Sequence, residues 1–453
     1  MSPRSPSGAH ARAKGGRTWF VLAVLALVGC SNQRIDPPSV ATTTTEPEDA
    51  IPGTIAYLGT DGNVFLMAPD GSGQRPLTSD AQPPHTTSAG FRYYEALAWA
   101  PGSNQLAFVG ISGDEGGIQR SQILVADQQT EALTWFEHPE ELPFYLYWSP
   151  DGQRLTFLAS NARQADLSVW LIDGQGEASL LDRGQPYYWA WSADGRSLLA
   201  HAGGSAAASP VEARVTRFDE VPGDGRPLAL RPLSFQAPAF APEGQRALVA
   251  ASVVGGDSGL LLLDPEGRPL ERVAQVGRTV AFAWAPSGSW AAFVEQSHIL
   301  DARFGELMLL DLTTAGSARL VPSGLESVAA FFWSPVDDRL LAIVPVLAPH
   351  EDNPLVSYAR QGVAWRLRLY LIEPPQGQPV LLTEIEPTDD FLSLLPFYDQ
   401  YQRSSRLWSP DGRWMVLPIV DQRGDRWIAR LAIGETFELV RLVKGDLAFW
   451  SFD

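Results

Sequence analysis

The chain has 453 residues, of which 45% are hydrophobic and 19% charged, and its formal net charge is −18. This composition supports a packed core and excludes a globally disordered chain. An acidic surface repels phosphate backbones and anionic lipid, so we expect no nucleic-acid partner and no purely electrostatic attachment to a membrane.

The first 29 residues are predicted to be a signal peptide rather than part of the fold. An apolar run of ten residues, 19–28, is too short to span a bilayer as a helix but suits the core of a signal peptide. Four basic residues precede this run: Arg4, Arg12, Lys14 and Arg17. The run ends at Gly29 and Cys30, a small residue followed by a cysteine.

The segment 27–30, Leu-Val-Gly-Cys, resembles the lipobox of bacterial lipoproteins. The resemblance implies cleavage between Gly29 and Cys30, acylation of the Cys30 sulfur, and attachment to an extracytoplasmic membrane surface of the bacterial envelope. The alternative is an ordinary signal peptide with a chance cysteine. Cys30 is the only cysteine, so we expect no internal disulfide and no catalytic or metal-binding thiol. Without residues 1–29, the net charge would be −22.

Residues 30–52 are predicted to form a disordered tether. The segment contains consecutive prolines at 37–38, four threonines at 42–45 and the acidic stretch 46–49. Proline and like charge keep such a chain extended, and the segment offers little to a core.

The remainder, 53–453, is repetitive. An apolar stretch ends in an aromatic anchor residue, followed by a turn; the clearest copies are Trp-Ser-Pro-Asp-Gly at 148–152 and 408–412. Weaker copies begin at other anchors: Trp99, Trp191, Phe240, Trp284, Trp333 and an incomplete one at Trp450. Most anchors lie 42 to 49 residues apart, with one interval of 75. A period near 45 residues is typical of propeller blades of four strands. The repeated tryptophans are expected to pack blade against blade rather than to bind ligand.

One repeat illustrates the predicted blade. Strands are predicted at 144–148, 155–158, 167–172 and near 178–181, because short β-branched and aromatic runs are bounded there by Gly, Pro and Asp. No long helix is predicted.

The two ends of the repetitive region complement each other. Residues 54–58 and 64–67 are predicted as the second and third strands of a blade without a first strand, whereas 447–450 is a first strand with nothing after it. Pairing the two ends would close the ring and remove two exposed edges. The predicted fold is therefore all-β: a single closed β-propeller of about eight four-stranded blades. Seven blades is the alternative, if the Phe240 copy or the long copy 333–385 is misassigned.

The Trp-Ser-Pro-Asp-Gly signature resembles the TolB-like, WD-related propeller repeats of bacterial envelope proteins, over about residues 53–453. The motif is fairly specific for the fold and poorly specific for function. TolB has an additional α/β domain, and prolyl-oligopeptidase-type propellers accompany a hydrolase domain; neither is found in this sequence. The resemblance therefore implies no particular partner.

No catalytic motif was identified. There is no Gly-x-Ser-x-Gly sequence, and 256–259 (Gly-Asp-Ser-Gly) is predicted to be a turn between two strands. Five histidines follow the signal peptide, and no two have metal-motif spacing: His85, His138, His201, His298 and His350. We expect no catalytic residues, no metal and no cofactor.

The longest connections are predicted to lie on one face of the propeller. They are 79–94 and 386–402 between blades, and 110–121, 202–212 and 345–363 within blades. Variable loops on a rigid scaffold are the usual place for binding.

An aromatic and acidic recognition patch is predicted on that face. Its rings are Phe91, Tyr93, Tyr94, Tyr358, Phe391, Phe397, Tyr398 and Tyr401, beside the acidic residues Glu351, Asp352, Asp389, Asp390 and Asp399. Aromatic residues are enriched at interface hot spots. The alternative is that these rings only hold long loops onto the propeller.

The sequence favours a monomeric, non-enzymatic lipoprotein that binds or scaffolds an envelope protein or a cell-wall polymer. The alternative is a lyase or hydrolase acting on an extracytoplasmic glycan at a site in the central channel. A sensory ectodomain is a third possibility, without support from a transmembrane or signalling segment.

Overall fold

The computed structural model describes residues 51–453, apart from 83–89, 128–131, 139, 162, 165, 204–212, 234–235, 254–255, 257, 278, 296–303, 315, 317, 348–364, 376 and 435. The described chain is all-β except for one short helical segment, and its strands form successive antiparallel sheets. No helix in these ranges has the length and apolar character needed to cross a membrane.

Sheets 1 to 4 each contain four strands. Sheet 1 is β1 (Ile55–Leu58), β2 (Val64–Met67), β3 (Arg75–Pro76) and β32 (Leu447–Trp450); sheet 2 is β4 (Phe91–Trp99), β5 (Gln105–Asp114), β6 (Gly117–Asp127) and β7 (Leu133–Glu137). Sheet 3 is β8 (Glu141–Trp148), β9 (Leu155–Asn161), β10 (Leu167–Ile172) and β11 (Ala178–Gly184); sheet 4 is β12 (Tyr187–Trp191), β13 (Leu198–Ala202), β14 (Arg214–Phe218) and β15 (Arg226–Pro227).

Sheets 5 to 7 continue the pattern. Sheet 5 is β16 (Leu230–Pro232), β17 (Ala239–Phe240), β18 (Ala247–Val253), β19 (Ser258–Leu263) and β20 (Pro269–Ala274); sheet 6 is β21 (Val280–Trp284), β22 (Trp290–Glu295), β23 (Leu307–Asp311) and β24 (Arg319–Pro322). Sheet 7 is β25 (Ala330–Trp333), β26 (Leu340–Leu347), β27 (Trp365–Ile372), β28 (Val380–Pro387), β29 (Trp414–Val420), β30 (Arg426–Ala432) and β31 (Leu439–Lys444). Two residue pairs, Glu386 with Val420 and Pro387 with Ile419, join β28 to β29, so sheet 7 consists of two halves.

Sheet 3 contains the four strands predicted from its repeat. Each observed strand includes the predicted run, and β10 has the predicted bounds. The second strand, β9, is almost entirely buried, whereas the fourth strand, β11, begins with three exposed residues. Apolar side chains on both faces of the inner strands form the core between sheets, which is why these strands are near-continuous hydrophobic runs.

Sheet 1 is built from both ends of the described chain. Strand β1 pairs antiparallel with β32, from Ile55 opposite Trp450 to Leu58 opposite Leu447. The predicted pairing of these two strands is therefore observed. Both strands are buried along their whole length. β32 is the last strand in the sheet order and covers the edge that β1 would otherwise expose.

The anchor tryptophans join adjacent sheets. In five cases the indole Nε1 donates to the carbonyl of the residue just before the anchor of the preceding sheet, at 3.1–3.3 Å: Trp99 to Phe449, Trp148 to Ala98, Trp284 to Ala239, Trp333 to Ala283 and Trp408 to Phe332. A large ring that also satisfies its N–H when buried suits this position. The tryptophans therefore pack sheet on sheet, as expected.

A second contact between sheets uses an arginine six residues after an anchor. Arg154, Arg246 and Arg339 lie over the next anchor ring at 5.3, 5.2 and 6.0 Å from its centroid. Each also donates to the carbonyl of the next turn glycine: Arg154 to Gly195, Arg246 to Gly288 and Arg339 to Gly412. We call this arrangement the arginine clasp; it combines cation–π contact with a charge-assisted hydrogen bond.

All five predicted connections include strand residues: β13 reaches into 202–212, β26 into 345–363 and β28 into 386–402. The difference is largest in the other two. The range 110–121 was predicted as a loop but belongs to β5 and β6, which pair up to Asp114 opposite Gly117. In the connection 79–94, strand β4 already begins at Phe91. The prediction was wrong there because aromatic and β-branched residues favour strand wherever a neighbouring strand can pair with them, and Tyr93 pairs with Ile111.

Candidate binding site where the first strands converge

A short helical segment connects the two halves of sheet 7. We call residues 388–405 the central segment; it contains α1 (Asp389–Leu394), a 3-10 turn (Leu395–Phe397) and α2 (Tyr398–Tyr401). Thr388 caps α1, since its side chain accepts a hydrogen bond from the Phe391 N–H, and two aspartates occupy the first turn. A hydroxyl cap and acidic first-turn residues stabilise a helix start.

Buried polar groups bind the central segment to sheets 3, 4 and 5. The Tyr145 hydroxyl donates to the Gln400 carbonyl at 2.9 Å, and Gln400 Nε2 lies 2.7 Å from the Tyr145 oxygen. The Trp189 N–H donates to Gln400 Oε1 at 3.3 Å, and the Ala237 N–H donates to Asp399 Oδ2 at 3.2 Å. Tyr145 and Trp189 lie on the first strands of sheets 3 and 4, and Ala237 lies just before the anchor strand β17 of sheet 5. The segment therefore lies where the first strands converge.

Aromatic contacts and Arg403 strengthen this position. The Tyr398 ring lies 5.0 Å from Phe331 and 5.9 Å from Phe332 on β25, and Tyr401 meets Tyr145 edge to face at 5.0 Å. Arg403 donates to the Trp189 carbonyl at 3.0 Å. One side of the central segment is thus packed into the core, whereas Asp389, Asp390, Ser393 and Pro396 are exposed.

A cavity of about 420 Å³ remains beside the central segment. We call it the mouth cavity; its polar and aromatic lining residues include Tyr93, Tyr94, Glu95, Phe144, Asp390, Tyr401, Asp446 and Phe449. It lies between β4, the start of β32 and the turn after β1. This is the end of the strands at which the long connections were predicted.

Three carboxyl groups of the mouth cavity titrate abnormally. Burial, followed by the charge of Asp390, raises the pKa of Glu95 to about 7. Burial raises the pKa of Asp446 to about 6 and also raises the pKa of Asp390, and Arg426 opposes both shifts. Arg426 pairs with Asp446 at 2.9 Å. Carboxyl groups held in a concave site with raised pKa values are typical of binding and catalytic sites.

Strand β4 is distorted where it borders the cavity. The pairing with β5 shifts between Glu95 and Ala98, so β4 carries an extra residue, and Ala96 has a φ of +55°. A bulge changes the direction of side chains, and a non-glycine residue in the left-handed region costs free energy. The distortion lies directly beside Glu95, a placement that recurs at functional sites.

Replacing Ala96 by glycine is expected to leave stability unchanged or to raise it by a few tenths of a kcal/mol, since glycine adopts positive φ without strain. Ala107 on β5 has ordinary strand pairing and provides the matched control, because Ala107→Gly should destabilise by roughly 0.5–1 kcal/mol. Urea unfolding of both variants measures the difference. Equal destabilisation by the two substitutions would contradict strain at Ala96.

The structure separates the residues of the predicted patch. Tyr93, Tyr94 and Tyr401 line the mouth cavity, whereas Phe391 and Tyr398 are buried in the core at 2% and 4% exposure. Phe91 stacks on Tyr93 at 6.1 Å, and Phe397 is half-buried. Of the predicted acidic residues, Asp390 lines the cavity, Asp399 is buried and Asp389 lies in the first turn of α1. Tyr358, Glu351 and Asp352 lie outside the described residues.

Sequence reasoning missed Glu95 and Asp446. Glu95 is the one acidic residue inside the apolar run of β4, which was a usable signal because charged residues are rare in buried strands. Asp446 had no such signal, since it follows Gly445 in what reads as an ordinary turn.

The histidines do not form a site in the described ranges. His201 is buried on β13, its Nδ1 lies 3.1 Å from the Gln236 carbonyl oxygen, and burial lowers its pKa. His138 lies beside Phe136 and Trp170. His85, His298 and His350 lie outside the described residues. Among described residues, no three His, Cys, Asp or Glu side chains are placed to hold a metal ion.

Comparison with known proteins gives only distant structural similarity. No family model and no curated protein matches the sequence. TolB from Acinetobacter baumannii is 16% identical, with a TM-score of 0.34 over 62% of this chain and 67% of that one. An oligogalacturonate lyase in complex with manganese is 14% identical, with a TM-score of 0.43 over 87% and 85% of the two chains. The β-propeller domain of the Trilobed protease from Pyrococcus furiosus is 12% identical, with a TM-score of 0.39 over 78% and 86%. Similarities at this level assign no ligand or activity to this chain.

Proposed function

We propose that this protein is an extracytoplasmic binding module built on a closed propeller of eight blades. The two halves of sheet 7 count as two blades, and each of the eight anchors then belongs to one blade. Two contacts support closure: Trp99 bonds to Phe449 of sheet 1, and Arg406 bridges to Trp450 of the same sheet. The first contact joins sheet 1 to sheet 2. The second joins sheet 1 to the connection that leads into the second half of sheet 7, whose Val416 and Ile428 pack in one cluster with Ile55 and Trp450.

The proposed attachment is through Cys30, after cleavage at Gly29. The predicted tether, 30–52, is shortened to 30–50 in this proposal, because Ile51 packs on sheet 1 and the Pro52 carbonyl accepts from Trp450 Nε1 at 2.9 Å. The basic start, the short apolar run and the Gly29-Cys30 pair support the attachment, and all of these residues lie outside the described ranges. Metabolic labelling with a palmitate analogue tests this part. The expected result is labelling of the protein and its loss in Cys30→Ser.

Binding is proposed at the mouth cavity, for an envelope protein or a cell-wall polymer. One observation carries this: the central segment packs against sheets 4 and 5 and leaves an acidic, aromatic cavity at the end of the strands where the long connections were predicted. Clefts with a few convergent polar groups and aromatic rings are the usual ligand sites on rigid scaffolds.

A glycan lyase or hydrolase is the second candidate function. It is favoured by Glu95, because a carboxyl group with a pKa of about 7 suits proton transfer near neutral pH. In this case Glu95 would be the general acid or base, beside the second carboxyl of Asp390.

One experiment distinguishes the two functions. A soluble Cys30→Ser form without residues 1–29 is used as bait with solubilised envelope, and bound protein and glycan are identified by mass spectrometry. A protein or glycan retained unchanged, and lost in Glu95→Ala and Tyr401→Ala, is expected for the binding module. Turnover of a retained glycan that stops in Glu95→Gln would instead establish the enzyme. Glu438→Gln, at an exposed position, is the matched control. Equal recovery with all variants would exclude the mouth cavity as the site.

A further inference from the structure

A separate cavity of about 230 Å³ lies toward the ends of the strands that carry the anchors of sheets 3 to 6. We call it the rear cavity; it is lined by Tyr147, Ala190, Trp191, Ala239, Phe240, Pro242, Ala283, Trp284, Gln402 and Arg403. Along β8, Phe144 lines the mouth cavity and Tyr147 lines the rear cavity, so the two cavities lie toward opposite ends of this strand. The proposed function does not use the rear cavity.

Arg403 is the only charged residue in this lining. Its guanidinium group donates to the Trp189 carbonyl at 3.0 Å and to the Ala237 carbonyl at 3.4 Å. Within the described ranges, these carbonyls are its only hydrogen-bond partners, and no carboxylate forms an ion pair with it. A guanidinium group has five N–H donors, so most of them remain for a ligand. The two carbonyls hold the group in place before a ligand arrives, which lowers the entropic cost of binding.

The acidic residue closest to Arg403 in the sequence is engaged elsewhere. Asp399 accepts from the Ala237 N–H at 3.2 Å and does not line the rear cavity. Three other guanidinium groups lie over rings of the lining, but each of them pairs with a carboxylate: Arg154 with Asp151, Arg217 with Asp219 and Arg246 with Glu243. In contrast, no carboxylate of the described chain balances the charge of Arg403.

Gln402 adds a second hydrogen-bonding group to the lining. Its Nε2 is buried and has no hydrogen-bond partner among the described residues. A buried donor without an acceptor costs free energy. The amide can rotate by 180°, which exchanges the positions of its nitrogen and oxygen. An acceptor in the rear cavity can therefore bind to Gln402 as well as to Arg403.

The remainder of the lining is neutral and largely apolar. Burial raises the pKa of Tyr147 and the charge of Arg403 opposes the rise, so the hydroxyl is neutral at pH 7. Apolar walls strengthen the attraction between Arg403 and an anion because they exclude water. They also favour a ligand with an apolar body over a fully hydrated ion.

We propose that the rear cavity binds an organic carboxylate, which accepts from Arg403 and Gln402 and packs its apolar body against the rings. The planar guanidinium group matches a carboxylate with two parallel hydrogen bonds. One positive charge balances one carboxylate, whereas the second charge of phosphate would be left in an apolar cavity. The net charge of −18 repels anions at long range, but salt screens this repulsion beyond about 8 Å at physiological ionic strength.

Isothermal titration calorimetry of the purified protein with phenylacetate tests the proposal. Phenylacetamide, a neutral probe of the same shape, is expected to bind roughly tenfold or more weakly, because hydrogen bonds to charged groups are the stronger ones. Arg403→Gln should weaken phenylacetate binding by a similar factor, and inorganic phosphate should bind more weakly than phenylacetate. Arg423→Gln removes the same charge on an exposed turn and should leave binding unchanged.

Ala283→Leu provides a second variant, since Arg403 also holds the central segment and its replacement could unfold the protein. The half-buried Ala283 lines the rear cavity, so a larger side chain should fill the space and abolish phenylacetate binding while Arg403 stays in place. Thermal unfolding shows which variants fold. The proposal is overturned if phenylacetate does not bind, if phenylacetamide or phosphate binds as tightly, or if binding is undiminished in a folded variant of Arg403 or Ala283.

A further probe distinguishes two sources of the carboxylate. N-acetylglycyl-phenylalanine presents the carboxylate at the end of a peptide. Tighter binding than that of phenylacetate, lost in the same variants, would identify the ligand as a chain end. Weaker binding would identify it as a small free acid.

Discussion

Replacing Tyr398 by alanine is expected to lower the free energy of unfolding by about 3–5 kcal/mol, the range for deleting a large buried ring. Tyr398 is 4% exposed and contacts Phe331 and Phe332 on the first strand of the first half of sheet 7. Its loss would leave a cavity beneath the central segment and detach that segment from the sheet. Urea unfolding followed by tryptophan fluorescence measures the change.

Tyr398→Phe provides a matched control for the ring. The Tyr398 hydroxyl is buried and has no hydrogen-bond partner among the described residues. Removing an unsatisfied hydroxyl while keeping the ring should therefore leave stability unchanged or raise it. A cost below about 1 kcal/mol for Tyr398→Ala would show that the central segment is not part of the core, because a surface ring costs little to remove.

The second large effect concerns pH and Glu95. The folded-state pKa of Glu95 is about 7, above its ordinary value of 4.5, so the folded protein holds this proton more tightly than the unfolded chain. The associated stability is fully present below pH 4.5 and is lost as pH rises through about 7. Asp446 acts in the same direction, with a folded pKa of about 6. Stability should therefore rise as pH falls from 8 to about 5.

Glu95→Gln removes the titrating group and should flatten this pH dependence. At pH 8 the variant should be more stable than the unaltered protein by roughly 2 kcal/mol. This free energy is smaller than the full pKa shift of Glu95 would give, because the side chain is partly exposed and solvent screens its charge. Thermal unfolding between pH 5 and pH 8 measures both effects. Exposed Glu438→Gln should keep the original profile. Identical profiles for Glu95→Gln and the unaltered protein would mean that Glu95 titrates normally.

The charge of Glu95 also matters for the proposed function. A charged Glu95 that destabilises the free protein would be stabilised by a cationic or hydrogen-bonding ligand in the mouth cavity. A ligand that binds the folded state should then raise the unfolding midpoint most at pH 8, where the carboxylate is fully charged.

The repeat itself determined much of the fold at the level of sequence. The turns, the aromatic anchors and the alternating short strands depend on neighbours in the chain, so the four strands of sheet 3 could be predicted from residues 144–181 alone. The pairing of β1 with β32 was also predictable. The repeat at the start of the propeller region lacks its first strand, and the last repeat consists of a first strand alone, so the two can complete one sheet.

Only the tertiary structure decided where side chains of different sheets meet. The connection 386–402 was recognisable as long and aromatic, but its contacts with Tyr145 and Trp189 join residues more than two hundred positions apart, and no local pattern encodes them. The same holds for Glu95 and Asp390, whose titration depends on burial by elements distant in sequence.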